Sequence, residues 1–266
     1  MRILYFCTTW GQKSGRWDEF FSGIVSNGYQ GVETDLPVET ERNEFMEGLE
    51  KYGLKFIAQH WETVIADISL HCETYEKRLR ELAALKPLFI NSHTGRDFFS
   101  YEQNCSLLGI ADAVIQDTGI RVVHETHRGR FAYAAHIVRQ YLHAHPALQL
   151  TLDLSHWCTV SESLLEDQQE AVDLAIARTA HIHARVGHTQ GPQVANPSLP
   201  EYAEALSFHL DCWDKVVAQR KHKVLTITPE FGPRPYMPPN QPADQQWQNN
   251  LYIMNLLKNR YQPNQL

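Results

Sequence analysis

Carboxylates and imidazoles close a series of short apolar runs in this sequence. KFIAQHW reaches His60, PLFINSHTG reaches His93, RVVHETH carries Glu125, LQLTLDLSHW offers Asp153 and His156, TAHIHARVGH offers His181, His183 and His188, and KVLTITPEFGP reaches Glu230. These are the side chains that ligate divalent cations. Side chains alternate across an extended strand, so if Glu125 faces an interior, Val123 does too, while Val122 and His124 face away. By the same parity Asp153 goes with Thr151, Glu230 with Thr226 and Thr228, and His181 with His183. A lone Glu at a strand end is usually an ion-pair partner, but the coincidence on successive runs argues for a shared site. Three bare carboxylates meeting in one place would repel and raise one another's pKa, whereas a divalent ion with a histidine satisfies them together. The pattern therefore implies a metal centre.

The elements that must bring these residues together are eight strand-like runs, starting near Arg2, Gly31, Lys55, Pro87, Arg121, Gln149, Ala180 and Lys223. Helical periodicity fills the intervals: Trp17, Phe20, Phe21, Ile24 and Val25 before Gly28; Phe45, Met46 and Leu49 before Gly53; Leu108, Ala111, Val114 and Ile115 before Gly119; and Trp247, Leu251, Met254 and Leu257 at the end. Spacings of this kind suit βα units with parallel strands, and eight units predict an α/β fold, a single (β/α)8 TIM barrel over residues 1–266. An open doubly wound sheet is the alternative, but no Gly-x-Gly-x-x-Gly follows the first run and no linker divides the chain. In such a barrel the C-terminal strand ends converge on one mouth. GHTQGPQVANPSLP, in the longest interval, is expected to form a loop over it, NQPADQQWQNN to begin as a loop, and YQPNQL to fray.

Composition limits the partners. The chain has 266 residues, 43% hydrophobic and 21% charged, with 24 Lys+Arg against 31 Asp+Glu and a net charge of -7. That excludes disorder for most of the chain and gives no electrostatic footprint for nucleic acid or an anionic membrane. Five scattered cysteines argue against a disulfide framework, and without a signal peptide or an apolar span the expected location is cytoplasmic. Of the 14 histidines, His136, His143, His145, His209 and His222 fall in helical or connecting segments and are assigned to the solvated surface, and His124 is expected to pack outward. Cys158 is read as structural, and Ser155 lacks a Gly-x-Ser-x-Gly elbow. Trp10, Trp61 and Trp157 follow the first, third and sixth runs, where they form either an apolar wall for a ligand or packing beneath loops.

The ordered set Glu125, Asp153-x-x-His156, His183 and Glu230 resembles the xylose isomerase-like barrel superfamily, which includes sugar isomerases and epimerases, inosose dehydratases and endonuclease-IV-like enzymes. The likeness spans essentially the whole chain, and HIHARVGHTQGPQVANP and TPEFGP look most like sugar isomerase/epimerase members. The resemblance implies that Glu125, Asp153, His183 and Glu230 hold the metal, with Glu125 and Glu230 also acting as acid and base. It implies that His156 contacts substrate. A substrate-binding arginine follows the seventh-strand histidine in such epimerases; here Arg185 stands closer than that spacing, and Arg234 is another candidate. The endonuclease branch adds two earlier histidines, matched by His60 and His93, which here contact substrate hydroxyls or hold a second ion. Its Asp-x-His after strand seven is missing, with Asn196 and Ser198 near that place.

What the resemblance implies is proton abstraction beside a sugar carbonyl through an enediolate, in an isomerase or epimerase of a small sugar, sugar phosphate or polyol. The ion is Mn or Zn by preference, with Co or Mg compatible. An inosose-dehydratase-like lyase, a metal-dependent phosphodiesterase or AP endonuclease, and a non-catalytic sugar-binding barrel are the alternatives. Neither nucleic acid nor membrane is an expected partner, and relatives of this kind suggest a homo-oligomer packed through outer helices.

Overall fold

The computed structural model describes residues 2–12, 15–220 and 224–262. Eight parallel strands, β1 (Arg2–Thr8), β2 (Gly31–Thr34), β3 (Lys55–His60), β4 (Ile90–Ser92), β5 (Val122–Glu125), β6 (Leu150–Leu152), β7 (Thr179–His183) and β8 (Val224–Thr228), pair in chain order. β8 returns to pair with β1 and closes the barrel. The helices are α1 (Trp17–Ser26), α2 (Arg42–Tyr52), α3 (Ile68–Ala84), α4 (Tyr101–Thr118), α5 (Ala135–Ala144), α6 (Leu154–Ser161), α7 (Gln169–Arg178), α8 (Ala203–Gln219) and α9 (Gln245–Tyr261). The chain is thus an α/β TIM barrel. Among the described residues no helix is long and apolar enough to cross a membrane. Lys223, His222 and the last four residues of YQPNQL lie outside the described residues.

Local signals account for the helix limits. Ser100 caps α4 in a reciprocal capping box with Gln103, and Gly119 ends it in the left-handed region at φ 73°. Trp17, Phe20, Phe21 and Ile24 form the buried face of α1, whereas Val25 and Met46 are exposed at the margins of their helices.

Strand alternation makes two separate apolar regions. Outward-facing Tyr5, Val32, Phe56, Ile90, Val122, Leu152, Ile182 and Ile227 join the helices in a continuous shell. Inward-facing Leu4, Phe6, Ile57, Phe89 and Val123 fill the barrel floor. Gly31 leaves room for this filling, because a Cβ there would lie 2.3 Å from the Phe6 ring and 2.6 Å from the Lys55 carbonyl. Above the floor the inward positions turn polar.

One surface assignment is corrected. His136 and His143 are exposed and His145 is partly buried, but His209 is fully buried. It shares the inner stripe of α8 with Ala205, Cys212, Trp213 and Val216, and its Nδ1 donates to the Ala205 carbonyl. The helix's own carbonyl supplies the partner that makes burial of the ring affordable. Burial holds its pKa down at about 4.

Candidate metal centre

The structure brings Glu125, Asp153, His183 and Glu230 together at the C-terminal end of the barrel, with one ligand atom from each lying within 4.8 Å of all the others. Glu125 and His183 are the last residues of β5 and β7. Asp153 follows β6 directly and caps the short helix α6, accepting from the Ser155 amide at 3.0 Å and its hydroxyl at 2.5 Å. Glu230 lies just past β8, on a segment pinned by α9: Phe231 N–H donates to Asn250 Oδ1 at 2.7 Å, and Gln246 Nε2 donates to the Phe231 carbonyl at 2.8 Å. Gln59 Nε2 donates to Glu230 Oε1 at 3.2 Å.

The histidine shows why a cation suits the cluster. His183 Nε2 lies 3.0 Å from Glu33 Oε1, an acceptor, so it is assigned the ring proton. Its Nδ1 then carries a lone pair, buried and without a hydrogen-bond partner among the described residues, 2.9 Å from Glu230 Oε2 and 3.5 Å from Glu125 Oε2. A lone pair facing two carboxylates is repulsive until a positive charge stands between them, and the donor set of three carboxylates and one imidazole fits a divalent ion. Burial opposes charge on His183, but Glu230, Glu33 and Glu125 together push its pKa well above the ordinary value, so that a proton meets the same demand for positive charge.

Glu33, at the end of β2, was not singled out from the sequence. It is fully buried and accepts from His181 Nε2 at 3.1 Å, His183 Nε2 at 3.0 Å, Asn91 Nδ2 at 3.0 Å and Thr228 Oγ1 at 2.5 Å. Burial alone would raise its pKa, yet His183 and His181 hold it far below the carboxylate range. A ligating imidazole whose second nitrogen donates to a carboxylate is fixed in tautomer and orientation. The available signal was parity: Glu33 interrupts GVETD at the position where the second strand should face inward. Asn91 Nδ2 bridges Glu33 to Glu125, donating to Glu125 Oε2 at 2.8 Å. Burial acts to raise the Glu125 pKa, but His93 and His183 bring it well below the usual range.

The four residues expected to touch substrate separate. His93 lines the mouth, its Nε2 at 2.9 Å from Glu125 Oε2. Arg185 lines it too, with Nη2 on Asp153 Oδ2 at 2.5 Å and on His156 Nε2 at 2.7 Å. Burial disfavours its charge, but Asp153 and Glu230 more than compensate and raise its pKa. In turn, Asp153 is raised by burial, and Arg185 opposes that shift. Gly187 allows the strand-seven segment to approach α6, since a Cβ there would meet Ser155 Cβ at 2.6 Å. His156 is fully buried behind Arg185 and does not line the cavity.

His60 is the clearest correction. Gln59 takes the inward position on β3, so His60 points to the helices, fully buried against Tyr75 of α3 and within reach of Ser92 Oγ at 3.2 Å and Thr63 Oγ1 at 2.8 Å. It does not line the cavity. His124 also faces outward, with Nδ1 on Thr94 Oγ1 at 2.7 Å, and burial lowers its pKa to about 3. Arg234 donates to the Pro239 carbonyl and His188 lies in the loop after β7; neither lines the cavity.

The cavity above the cluster has a volume of about 420 Å³, within the range of small-molecule sites. Trp10, Trp61 and Tyr236 give it aromatic walls, and His127, missed from the sequence, adds a second imidazole beside His93. Trp157 is instead packed beneath the loops, its indole donating to the Ala132 carbonyl. The loop expected over the mouth docks on the strand-eight segment through Gln193 and Gly232, while Asn196 and Ser198 bond to each other at 2.7 Å. Buried Cys158 has its thiol pKa raised by burial, away from nucleophilic reactivity.

No family model and no curated protein matches the chain. Solved structures do. The probable 3-DHS dehydratase AsbF of Bacillus anthracis is 17% identical over 97% of this chain and 99% of that one, with a TM-score of 0.62. A xylose isomerase-like TIM barrel protein of Mycobacterium smegmatis, solved with magnesium, is 10% identical over 96% of each chain, with a TM-score of 0.61. An AP endonuclease, family 2, of Brucella melitensis is 15% identical over 88% of this chain and 93% of that one, with a TM-score of 0.59. At these identities the likeness is one of architecture, and the protein has the fold of the xylose isomerase-like TIM barrels.

Proposed function

We propose that this protein is a divalent-metal-dependent isomerase or epimerase of a small sugar or sugar derivative. The observation that carries the reading is the buried convergence of Glu125, Asp153, His183 and Glu230, with the lone pair of His183 Nδ1 aimed into the cluster. An ion held by these four residues, Mn or Zn by preference with Co or Mg compatible, would supply Lewis-acid polarisation of a carbonyl and stabilise charge developing on oxygen.

The chain's own groups then handle protons and orientation. Glu125 on β5 and Glu230 beyond β8 approach the cavity from well-separated strands. One carboxylate removes the proton beside the carbonyl, leaving an enediolate, and the other returns a proton. Return to the opposite face of the same carbon gives an epimer; return to the neighbouring carbon, with the hydroxyl proton passing from one enediolate oxygen to the other, gives an isomer. Asn91 and His93 orient Glu125, and Gln59 orients Glu230. The Trp10 and Trp61 walls exclude water from one side of the sugar.

Two alternatives are weighed by particular residues. Water elimination begins with the same proton abstraction but needs a proton donor for the departing hydroxyl, and His127 does not offer one: its Nδ1 proton is committed to the Arg128 carbonyl at 2.6 Å and its Nε2 carries the lone pair. The Bacillus anthracis neighbour bears a dehydratase name, and product mass separates the two outcomes. A nuclease needing His60 is disfavoured, because that ring lies behind β3.

The test is incorporation of solvent deuterium at carbon by metal-loaded protein, followed by mass spectrometry across ketoses, ketose phosphates and inososes. Exchange is expected with at least one substrate, and Glu125→Gln or Glu230→Gln should lower it by about 10²–10⁴-fold. No exchange across the panel with Mn, Zn, Co or Mg overturns the proposal.

A further inference from the structure

None of the four cluster residues comes from β1, β2 or β3, yet that side of the mouth is also a shaped surface. Asp35 and Trp61 are the next inward positions after Glu33 and Gln59, and with Thr9 and Trp10 they line the same cavity as the cluster. Trp61 is 48% exposed although it is held at three points. Its amide donates to Glu62 Oε2 at 3.0 Å, its carbonyl accepts from Arg130 Nη2 at 2.6 Å, and its Nε1 donates to Asp35 Oδ2 at 3.3 Å. An aromatic face fixed in orientation and left open to a cavity suits a flat partner with apolar faces, because little ordering remains to be done on binding.

The polar atoms beside that face are acceptors. The Thr9 hydroxyl donates to Thr34 Oγ1 at 2.6 Å, and the Thr34 hydroxyl donates to Asp35 Oδ1 at 3.2 Å. With its proton committed, the Thr9 oxygen keeps a lone pair for a ligand. Asp35 accepts one donor on each oxygen, of the roughly four that a carboxylate accommodates, and it makes no ion pair among the described residues. A ligand on this side must therefore donate. A phosphate or carboxylate would meet Asp35 as a like charge, and a cation would share the cavity with Arg130 and Arg185. A hydroxylated ring avoids both penalties: its C–H face packs on the indole and its hydroxyls donate to Asp35 and Thr9. Gln59, whose amide reaches Glu230, stands between the cluster and Trp61 in the chain. Two extended residues span about 7 Å, roughly the width of one sugar ring.

We propose that the β1–β3 side of the mouth is a second subsite, for a neutral sugar ring stacked on Trp61 and bonded through its hydroxyls to Asp35. The substrate is then a glycosylated sugar, a disaccharide or related glycoside. This rests on the isomerase or epimerase reading, which puts the reacting sugar over the cluster on β5–β8. Asp35 is the residue that admits hydroxyls and turns away an anionic end.

Calorimetric titration of the whole protein, with and without added Mn²⁺, tests this. The probes are D-fructose, D-fructose 6-phosphate and four disaccharides that join a second ring to D-fructose: isomaltulose, lactulose, maltulose and turanose. At least one disaccharide is expected to bind about tenfold or more tightly than D-fructose, and the phosphate is not. The ratio of disaccharide to D-fructose affinity should fall about fivefold or more in Trp61→Ala and stay within about twofold in Trp61→Phe, which keeps a stacking face. Asp35→Asn should lower that ratio and narrow the gap between D-fructose and its 6-phosphate. Tryptophan emission should move to shorter wavelength as the preferred disaccharide covers the indole, and Trp61→Phe should abolish the shift. Circular dichroism melts establish that each variant is folded. No disaccharide binding more tightly than D-fructose, a disaccharide preference that survives Trp61→Ala, or D-fructose 6-phosphate binding more tightly than every disaccharide overturns the inference. Binding is read without turnover, so a preferred disaccharide that shows no deuterium exchange refutes the isomerase reading alone. Exchange with single sugars and no disaccharide preference refutes the subsite alone.

Discussion

The floor and the mouth of the barrel are built by the same strands and the same inward parity, but they are held by different physics. At the floor Leu4, Phe6, Ile57, Phe89 and Val123 meet with no polar partner to find, and volume is what matters. A few residues further along, Glu33, Asn91, His181, His183 and Glu125 occupy equally buried inward positions, each bound to side chains from other strands. Burying such groups is tolerable only when each has its partner, so the mouth is specified by matched charges and donors. A barrel can thus divide one interior into a part that holds the fold and a part that holds the chemistry.

This comparison can be broken by substitution. The largest expected effect is at the floor: Phe6→Ala should cost about 3–5 kcal/mol in denaturant unfolding while the divalent-metal affinity of the folded protein stays unchanged. A parallel loss of affinity would mean that floor and mouth do not separate. At the mouth, Glu33→Gln should weaken divalent-metal binding by about 10–100-fold, read by calorimetry, because His183 loses the carboxylate that orients it. Unchanged affinity would reduce Glu33 to a packing residue.

The smallest effect sharpens the contrast by pH. His209, in the helix layer, is held neutral at about 4 from an ordinary 6.5. The unfolded chain therefore takes up this proton first, so its contribution to stability is complete above 6.5 and is lost as pH falls toward about 4, by at most about 1.4 kcal/mol per pH unit. Glu33 and Glu125 are depressed carboxylates, and their contribution is present above the ordinary 4.5 and lost at lower pH. In metal-free protein, melting temperature against pH should flatten between 6.5 and 4 in His209→Gln. No change in that window removes His209 from the acid response.

Much of the site was legible because strand alternation is local. The parity placing Glu125 with Val123 and Asp153 with Thr151 needs only the neighbouring residues. The same rule, applied to KFIAQHW, leaves open whether Gln59 or His60 faces inward, and only the register of β3 between its neighbours decides for Gln59. Glu33 was passed over because its partners, His181 and Thr228, stand 148 and 195 residues away. His209 was misread because a polar residue in a helical stripe looks exposed until its carbonyl partner is known.

By itself the sequence determined the repeated strand and helix periods, hence a closed parallel barrel, and the residue types that end each strand. These follow from backbone geometry and apolar spacing, which act over a few residues. The tertiary structure alone decided which buried groups became partners: that His183 lends one nitrogen to Glu33 and turns the other to the cluster, that Arg185 covers His156, and that Arg128 reaches the Tyr236 hydroxyl. Electrostatic and hydrogen-bond matching depends on distances between residues far apart in the chain, and those distances exist only once the barrel has closed.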